Sequence, residues 1–124
     1  MKGDPAPRLE REVIAMRVAK EFRNGHVINL GIGIPTLCSD FVPPGVQVLY
    51  QSESGVLNCG PIAAEGAGSV DLINAGGQFL EAVPGMSFFD SPEAFAMIRG
   101  GHIDISVLGA LQVSATGDLA NWFI

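Results

Sequence analysis

Basic residues, cysteines and long apolar runs are all scarce in this chain of 124 residues, which has only seven Lys and Arg, two Cys and two His. Six of the basic residues fall before position 24 (Lys2, Arg8, Arg11, Arg17, Lys20, Arg23), where Asp4, Glu10, Glu12 and Glu21 accompany them. Beyond that point Arg99 stands alone against nine acids, Asp40, Glu53, Glu65, Asp71, Glu81, Asp90, Glu93, Asp104 and Asp118. A nucleic-acid surface needs clustered positive charge with interleaved aromatics, and none can be assembled here. Cys38 and Cys59 form no Cys-x-x-Cys pair, and His26 and His102 lie far apart, so neither a zinc site nor a disulfide scaffold has the spacing it needs. Two free thiols in a reducing compartment is the direct reading. No apolar run approaches the roughly 20 residues that span a bilayer. The start, Met1-Lys2-Gly3-Asp4-Pro5, has no hydrophobic signal region, and the expectation is a cytoplasmic protein without a membrane partner. Charged residues make up 16% against 48% hydrophobic, which excludes disorder and leaves enough apolar mass for one core. The length suits a single domain over 1–124.

Periodicity divides the chain into alternating elements. Ile14, Val18 and Phe22 recur every four residues, with Leu9, Val13 and Met16 beside them, so residues 7–23 read as an amphipathic helix ended by Asn24-Gly25. Arg8–Glu12 and Arg17–Glu21 have the spacing of helical ion pairs. Residues 27–30 read as a strand that runs into Gly31-Ile32-Gly33-Ile34-Pro35, and Pro35 opens a short helix reaching Phe41. Further strands are expected at 46–50, 72–74, 79–83 and from 103 onward, with a helix from Ser91, its N-cap, to Arg99. This rhythm predicts an α/β fold with a largely parallel sheet flanked by helices.

Few side chains are placed for chemistry. Gly31-x-Gly33 lacks the third glycine of a dinucleotide fingerprint, because Thr36 occupies that place, and no Gly-Lys-Ser/Thr follows for a phosphate loop. A tight turn is the simpler reading, although such a turn also brings backbone amides close to a ligand. Glu53, between a predicted strand and Ser54-Gly55, falls at a strand's carboxyl end, where open α/β sheets bind ligands. It can be a general base, a metal ligand, a nucleophile or simply a solvated turn acid. Gln112 is a candidate polar group near a pocket, with a structural role equally open.

Five ordered blocks carry a resemblance: Asn29 to Pro35, Gln51 to Leu57, Asp71 to Gly76, Phe95 to His102 and Gly117 to Trp122. Together they closely resemble the B-type (beta) chain of 3-oxoacid CoA-transferases over nearly the whole sequence from the first helix onward. The resemblance implies the NagB/RpiA-like α/β scaffold of those enzymes, incomplete at the C-terminus because the family continues into a glycine-rich segment. It implies CoA transfer between an acyl-CoA and a short-chain 3-oxo or fatty acid such as acetoacetate, with Glu53 as covalent nucleophile. It places the Asn29 backbone amide at the oxyanion hole, with Gly31 and Gly33 as the adjoining close-approach turn and Ser54 and Gly55 in the turn that presents Glu53. Ser54 stands where the family has Asn, a residue more tolerant of positive φ, so the turn is expected to aim Glu53 differently. An A-type (alpha) subunit is the implied partner and coenzyme A a substrate, with neither metal nor prosthetic group required. Two other readings stay open. One is a non-catalytic fragment that only assembles with an A-type subunit; the other is a sugar-phosphate isomerase on the same scaffold, with Glu53 as base.

Overall fold

The computed structural model describes residues 8–122. Helix α1 spans Arg11–Ala19, shorter than the periodicity suggests. The expected start at Pro7 lies outside the described residues, while Arg8, Leu9 and Glu10 precede the first helical turn. Its buried side is also narrower than predicted. Ala15 and Ala19 are completely buried, whereas Leu9, Val13 and Met16 stand in solvent. Small side chains let the helix backbone lie close on its neighbours, and Phe22, just past the helix, fills the remaining space at 3% exposure. Of the two expected ion pairs only Arg17–Glu21 forms, at 2.5 Å and with both partners exposed. Arg8 lacks helical geometry and so cannot reach Glu12 as an i,i+4 neighbour.

Strand β1 is Val27–Leu30, as the apolar run predicts. It leads into helix α2, Ile34–Leu37, which continues as a 3-10 turn over Cys38–Phe41. Strand β2 is Leu49–Ser52, displaced toward the C-terminus from the expected 46–50. Gln47 is held instead by the Asn24-Gly25 loop: its N–H donates to Asn24 Oδ1 (3.0 Å) and its carbonyl accepts from Gly25 N (2.8 Å). The ladder begins only at Leu49. Two short strands that periodicity did not reveal follow, β3 (Val56–Leu57) and β4 (Ser87–Phe88). The expected strands at 72–74 and 79–83 reduce to isolated bridges, Ile73 to Phe79 and Ile62 to Leu80. Asn74 is the reason at one end, since its Oδ1 takes the N–H groups of Gly76 (2.9 Å) and Gln78 (3.0 Å) and turns the chain.

Helix α3 is Ser91–Arg99, with the predicted stop at Gly100-Gly101. Its N-cap is Asp90 rather than Ser91: Asp90 Oδ1 accepts from Glu93 N at 2.8 Å. Strand β5 is Ile105–Val107. The chain then leaves the sheet, and β6 (Gln112–Val113) pairs with β7 (Leu119–Ala120) in a separate antiparallel hairpin.

The main sheet has the order β4-β3-β2-β1-β5. Strand β1 runs parallel to both its neighbours, β2 and β5, while β2, β3 and β4 form an antiparallel meander, so the sheet is parallel on its β5 side and antiparallel on its β4 side. Strand alternation divides its faces. Ile28, Leu30 and Tyr50 pack with Ala15, Ala19, Phe22 and Cys38 on the α1–α2 side. Asn29 and Gln51 point the other way, where Gln51 Nε2 donates to the Ala94 carbonyl of α3 at 3.1 Å. The parallel strands all finish at the same edge of the sheet. The predicted α/β class with flanking helices is what the chain forms.

Candidate active site

Glu53 follows directly on Ser52, the last residue of β2, in a three-residue turn to β3. Asn29 lies opposite Gln51, and continuing that parallel register sets Gly31 level with Glu53. The two loops therefore leave the sheet side by side. The Glu53 side chain is half-buried, and its carboxylate has no hydrogen-bond or ion-pair partner among the described residues.

The turn that carries it is held from several directions. The Ser52 hydroxyl, in a 5% exposed residue, accepts from Ala75 N (3.1 Å) and more weakly from Ser54 N (3.4 Å). It lies 2.8 Å from the Ser54 hydroxyl, which itself donates to the Ile73 carbonyl at 3.3 Å. One proton arrangement satisfies the chain: Ser52 donates to Ser54, and Ser54 donates to Ile73. Gly55 completes the turn at φ 106°. Its N–H donates to Ser52 O and its carbonyl accepts from Phe89 N, both at 3.0 Å. A Cβ at Gly55 would fall 1.9 Å from the Phe89 carbonyl oxygen, so no side chain fits there.

That geometry revises one expectation. The left-handed position of the turn is Gly55, and the single non-glycine residue with positive φ among those described is Asn58. Ser54 needs no tolerance of positive φ. What its hydroxyl contributes is the link between Ser52 and Ile73.

Asn29 also takes a different place from the one expected. It is interior to β1, facing Gln51 on one side and Ser106 on the other, and is 2% exposed. Its main-chain groups are directed at those strands. Its side-chain Nδ2 donates to Gln51 Oε1 (2.7 Å) and Gln51 O (3.3 Å), and Gln51 passes the network on to Ala94. The pair braces the strands beneath the tip. Open donors occur further along: the N–H groups of Ile32 and Gly33 have no partner among the described residues, whereas Gly31 N donates to Val107 O at 2.9 Å. Gly31 makes its close approach to β5, where a Cβ would lie 3.1 Å from that same Val107 oxygen. Gly33 is required for conformation, with φ 90° and open space where a Cβ would be.

Gln112 lies on β6 in the separate hairpin, exposed, and the structure does not bring it to the Glu53 turn. Arg99 is exposed at the far end of α3, its guanidinium 6.0 Å from the Phe95 ring centroid. Among the described residues no three His, Cys, Asp or Glu side chains gather as metal ligands, and no helix is long and apolar enough to cross a membrane. The thiols are poor competitors as nucleophiles, because burial raises the Cys38 thiol and pushes Cys59 up to about 11.

Beside the turn, on the α1–α2 face, opens a cavity of about 430 Å³ walled by Leu30, Ile32, Tyr50, Ser52, Ile62 and Leu80 among others. Sequence reasoning missed it. Its walls come from segments distant along the chain, and the one available signal was the chain's single tyrosine standing on the apolar face of a strand.

Comparison with known proteins shows the family to which the chain belongs. Over 114 residues the chain is 53% identical to the B chain of a Helicobacter pylori succinyl-CoA:3-ketoacid coenzyme A transferase, covering 92% of this chain and 55% of that one. It is 48% identical over 114 residues to the beta chain of the Escherichia coli acetate CoA-transferase, covering 92% and 51% respectively. Identity to the human mitochondrial succinyl-CoA:3-ketoacid coenzyme A transferase 2 is 53% over 92% of this chain, but only 22% of the human protein. The chain thus spans about half the length of the bacterial relatives it matches. A family model described as coenzyme A transferase matches residues 11–124, and the chain belongs to that family.

Proposed function

We propose that this chain is the B-type part of a CoA-transferase that moves coenzyme A from an acyl-CoA to a short-chain carboxylate through acylation of Glu53. The observation that carries the proposal is a half-buried carboxylate without a partner among the described residues, on a turn fixed by Ser52 and Gly55 at the carboxyl end of a parallel strand. A carboxylate is a weak nucleophile, and solvation by strong donors would weaken it further; an unpaired one beside the sheet tip is free to attack.

In the proposed cycle a Glu53 carboxylate oxygen attacks the thioester carbonyl, and the C–S bond breaks to give a mixed anhydride and CoA thiolate. The thiolate attacks the glutamyl carbonyl, forming a glutamyl–CoA thioester and releasing the donor acid as carboxylate. The acceptor carboxylate then attacks that thioester and expels CoA thiolate, which attacks the acceptor's acyl carbonyl and restores free Glu53. Each attack places negative charge on a carbonyl oxygen. The N–H groups of Ile32 and Gly33, without a partner among the described residues, are candidate donors to stabilise it, and loss of one such donor typically costs about 10²–10³ in rate. Coenzyme A is a substrate here, and the steps need neither metal nor prosthetic group. Water must be kept out, since anhydride and thioester both hydrolyse. An A-type subunit closing over the tip would do this and would supply the positive charge that an anionic substrate requires and this acidic chain lacks. The relatives, named as B and beta chains of their enzymes, support that partnership. Succinyl-CoA or acetyl-CoA as donor and acetoacetate or a short fatty acid as acceptor fit the names of those relatives.

The test is CoA transfer measured with the full-length polypeptide assembled with its A-type subunit. Wild type should exchange CoA with ping-pong kinetics, and Glu53→Gln should lose the exchange while still assembling. Assembly without turnover in the wild type would favour the purely structural role.

A further inference from the structure

The Glu53 carboxylate has no partner of its own among the described residues, so the backbone on either side of it sets where it points. That backbone is gripped from two directions. In one, the bonds are main chain to main chain, Gly55 N to Ser52 O and Phe89 N to Gly55 O. In the other lies the loop 73–79, which is well bonded within itself: Ile73 bridges to Phe79, Asn74 N donates to Gln78 O (2.9 Å), and Asn74 Oδ1 takes the amides of Gly76 and Gln78. Among the described residues two hydrogen bonds join this loop to the Glu53 turn, Ala75 N to Ser52 Oγ (3.1 Å) and Ser54 Oγ to Ile73 O (3.3 Å). Both run through a serine hydroxyl.

The two hydroxyls also depend on each other. Ser52 Oγ accepts from Ala75 N and from Ser54 N, and the acceptor for its proton is Ser54 Oγ, 2.8 Å away. Ser54 then has its own proton for Ile73 O. With the order reversed, Ser52 Oγ would face three donors, and its proton would have no acceptor in a residue 5% exposed. A side chain as exposed as Ser54 is ordinarily replaced at little cost. Here its removal strands the Ser52 proton in a nearly buried place and releases one of the two bonds to the loop.

We propose that Ser54 is a positioning residue for the acylation of Glu53, its hydroxyl clamping the nucleophile's turn to the 73–79 loop so that the carboxylate meets the thioester at one angle. The inference rests on the acyl-transfer reading of Glu53. Ser54 touches neither substrate nor reacting atom and acts through the main chain from 52 to 54. A displacement of about 1 Å can cost a reacting group about 10² in rate, and loosening one of two anchors brings part of that loss. Substrate binding is not involved, so the loss belongs to kcat.

The experiment is CoA exchange by the full-length polypeptide assembled with its A-type subunit, comparing Ser54→Ala and Ser54→Thr with wild type and recording thermal unfolding of each. In Ser54→Ala, kcat and kcat/KM for acyl-CoA should fall together by about tenfold, with KM unchanged. The unfolding temperature should stay within about 5 °C of wild type, and Ser54→Thr, which keeps the hydroxyl, should recover most of the rate. An unimpaired kcat in Ser54→Ala would overturn the positioning role, and so would a Thr variant as slow as the Ala variant. A raised KM at unchanged kcat would overturn it in favour of a substrate contact. A larger drop in unfolding temperature alongside the lost rate would overturn it in favour of a purely structural bond. Loss of exchange in Glu53→Gln beside a fully active Ser54→Ala would remove the positioning role alone, whereas full exchange in Glu53→Gln would remove the nucleophile reading and this inference with it.

Discussion

Glu53 owes its position to its neighbours on either side, and those neighbours make separable predictions. Glu53→Gln keeps the shape of the turn and removes the nucleophile, so kcat in the assembled enzyme should fall by at least about 10³ without loss of fold. Gly55→Ala forces a Cβ into the Phe89 carbonyl and a side chain into a φ of 106°. Urea unfolding should show a loss greater than about 2 kcal/mol, and a near-neutral result would mean that the turn has another conformation. Ser52→Ala strips the acceptor from Ala75 N in a nearly buried position and should cost about 1–3 kcal/mol by the same measurement. Two titrating groups set an alkaline limit. Burial raises Cys59 from its ordinary 9.0 to about 11 and Tyr50 from 10.0 to about 12. Above pH about 9 the unfolded chain therefore binds fewer protons than the native one, and stability falls as pH rises through that window toward 12. Urea midpoints measured from neutral pH upward should decline there, and Tyr50→Phe with Cys59→Ser should flatten the decline.

Among the elements, those set by local chemistry were readable in the sequence and those set by distant pairing were not. Strand β1 is a short apolar run between Asn24-Gly25 and the Gly31 turn, and it forms where the run lies. Helix α3 carries Pro92 in its first turn and Gly100-Gly101 beyond its end, and its limits follow these signals. Its cap moved one residue, because Asp90 and Ser91 both suit the role and only the Asp90 carboxylate reaches Glu93 N. Asp90→Ala should consequently lower stability by about 1 kcal/mol, seen in thermal unfolding, while Ser91→Ala should have little effect. Strand β2 shifted because Gln47 is engaged by Asn24 and Gly25, contacts across more than twenty residues that no window of sequence reveals. Helix α1 shows the limit of periodicity most plainly. A hydrophobic stripe favours Leu9, Val13 and Met16 for their size, yet burial went to Ala15 and Ala19, on a helix that lies close against α2 and the 3-10 turn after it. At the site, Glu53 and Gly55 were legible from strand-then-turn spacing and from resemblance; the brace between Asn29, Gln51 and Ala94 was not, since it depends on sheet register.

The chain presents a mixed sheet whose parallel strands carry the candidate site, and a separate hairpin with much exposed apolar surface. Leu108, Leu111, Val113 and Leu119 are all more than half exposed, and Trp122 is 88% exposed. Monomeric proteins rarely leave such groups together in water. Trp122 is the chain's single tryptophan, which makes the accessibility measurable. In the isolated chain acrylamide should quench its fluorescence nearly as well as it quenches free indole, and strong protection would contradict the exposure described here. The match to the coenzyme A transferase family runs over residues 11–124 and so includes Glu53 and the residues that line the cavity beside it. The most direct test of the central claim is mass spectrometry of the assembled full-length enzyme after incubation with acyl-CoA and trapping with hydroxylamine. A hydroxamate confined to Glu53 is the predicted outcome, and a hydroxamate on any other carboxylate, with Glu53 unmodified, would contradict it.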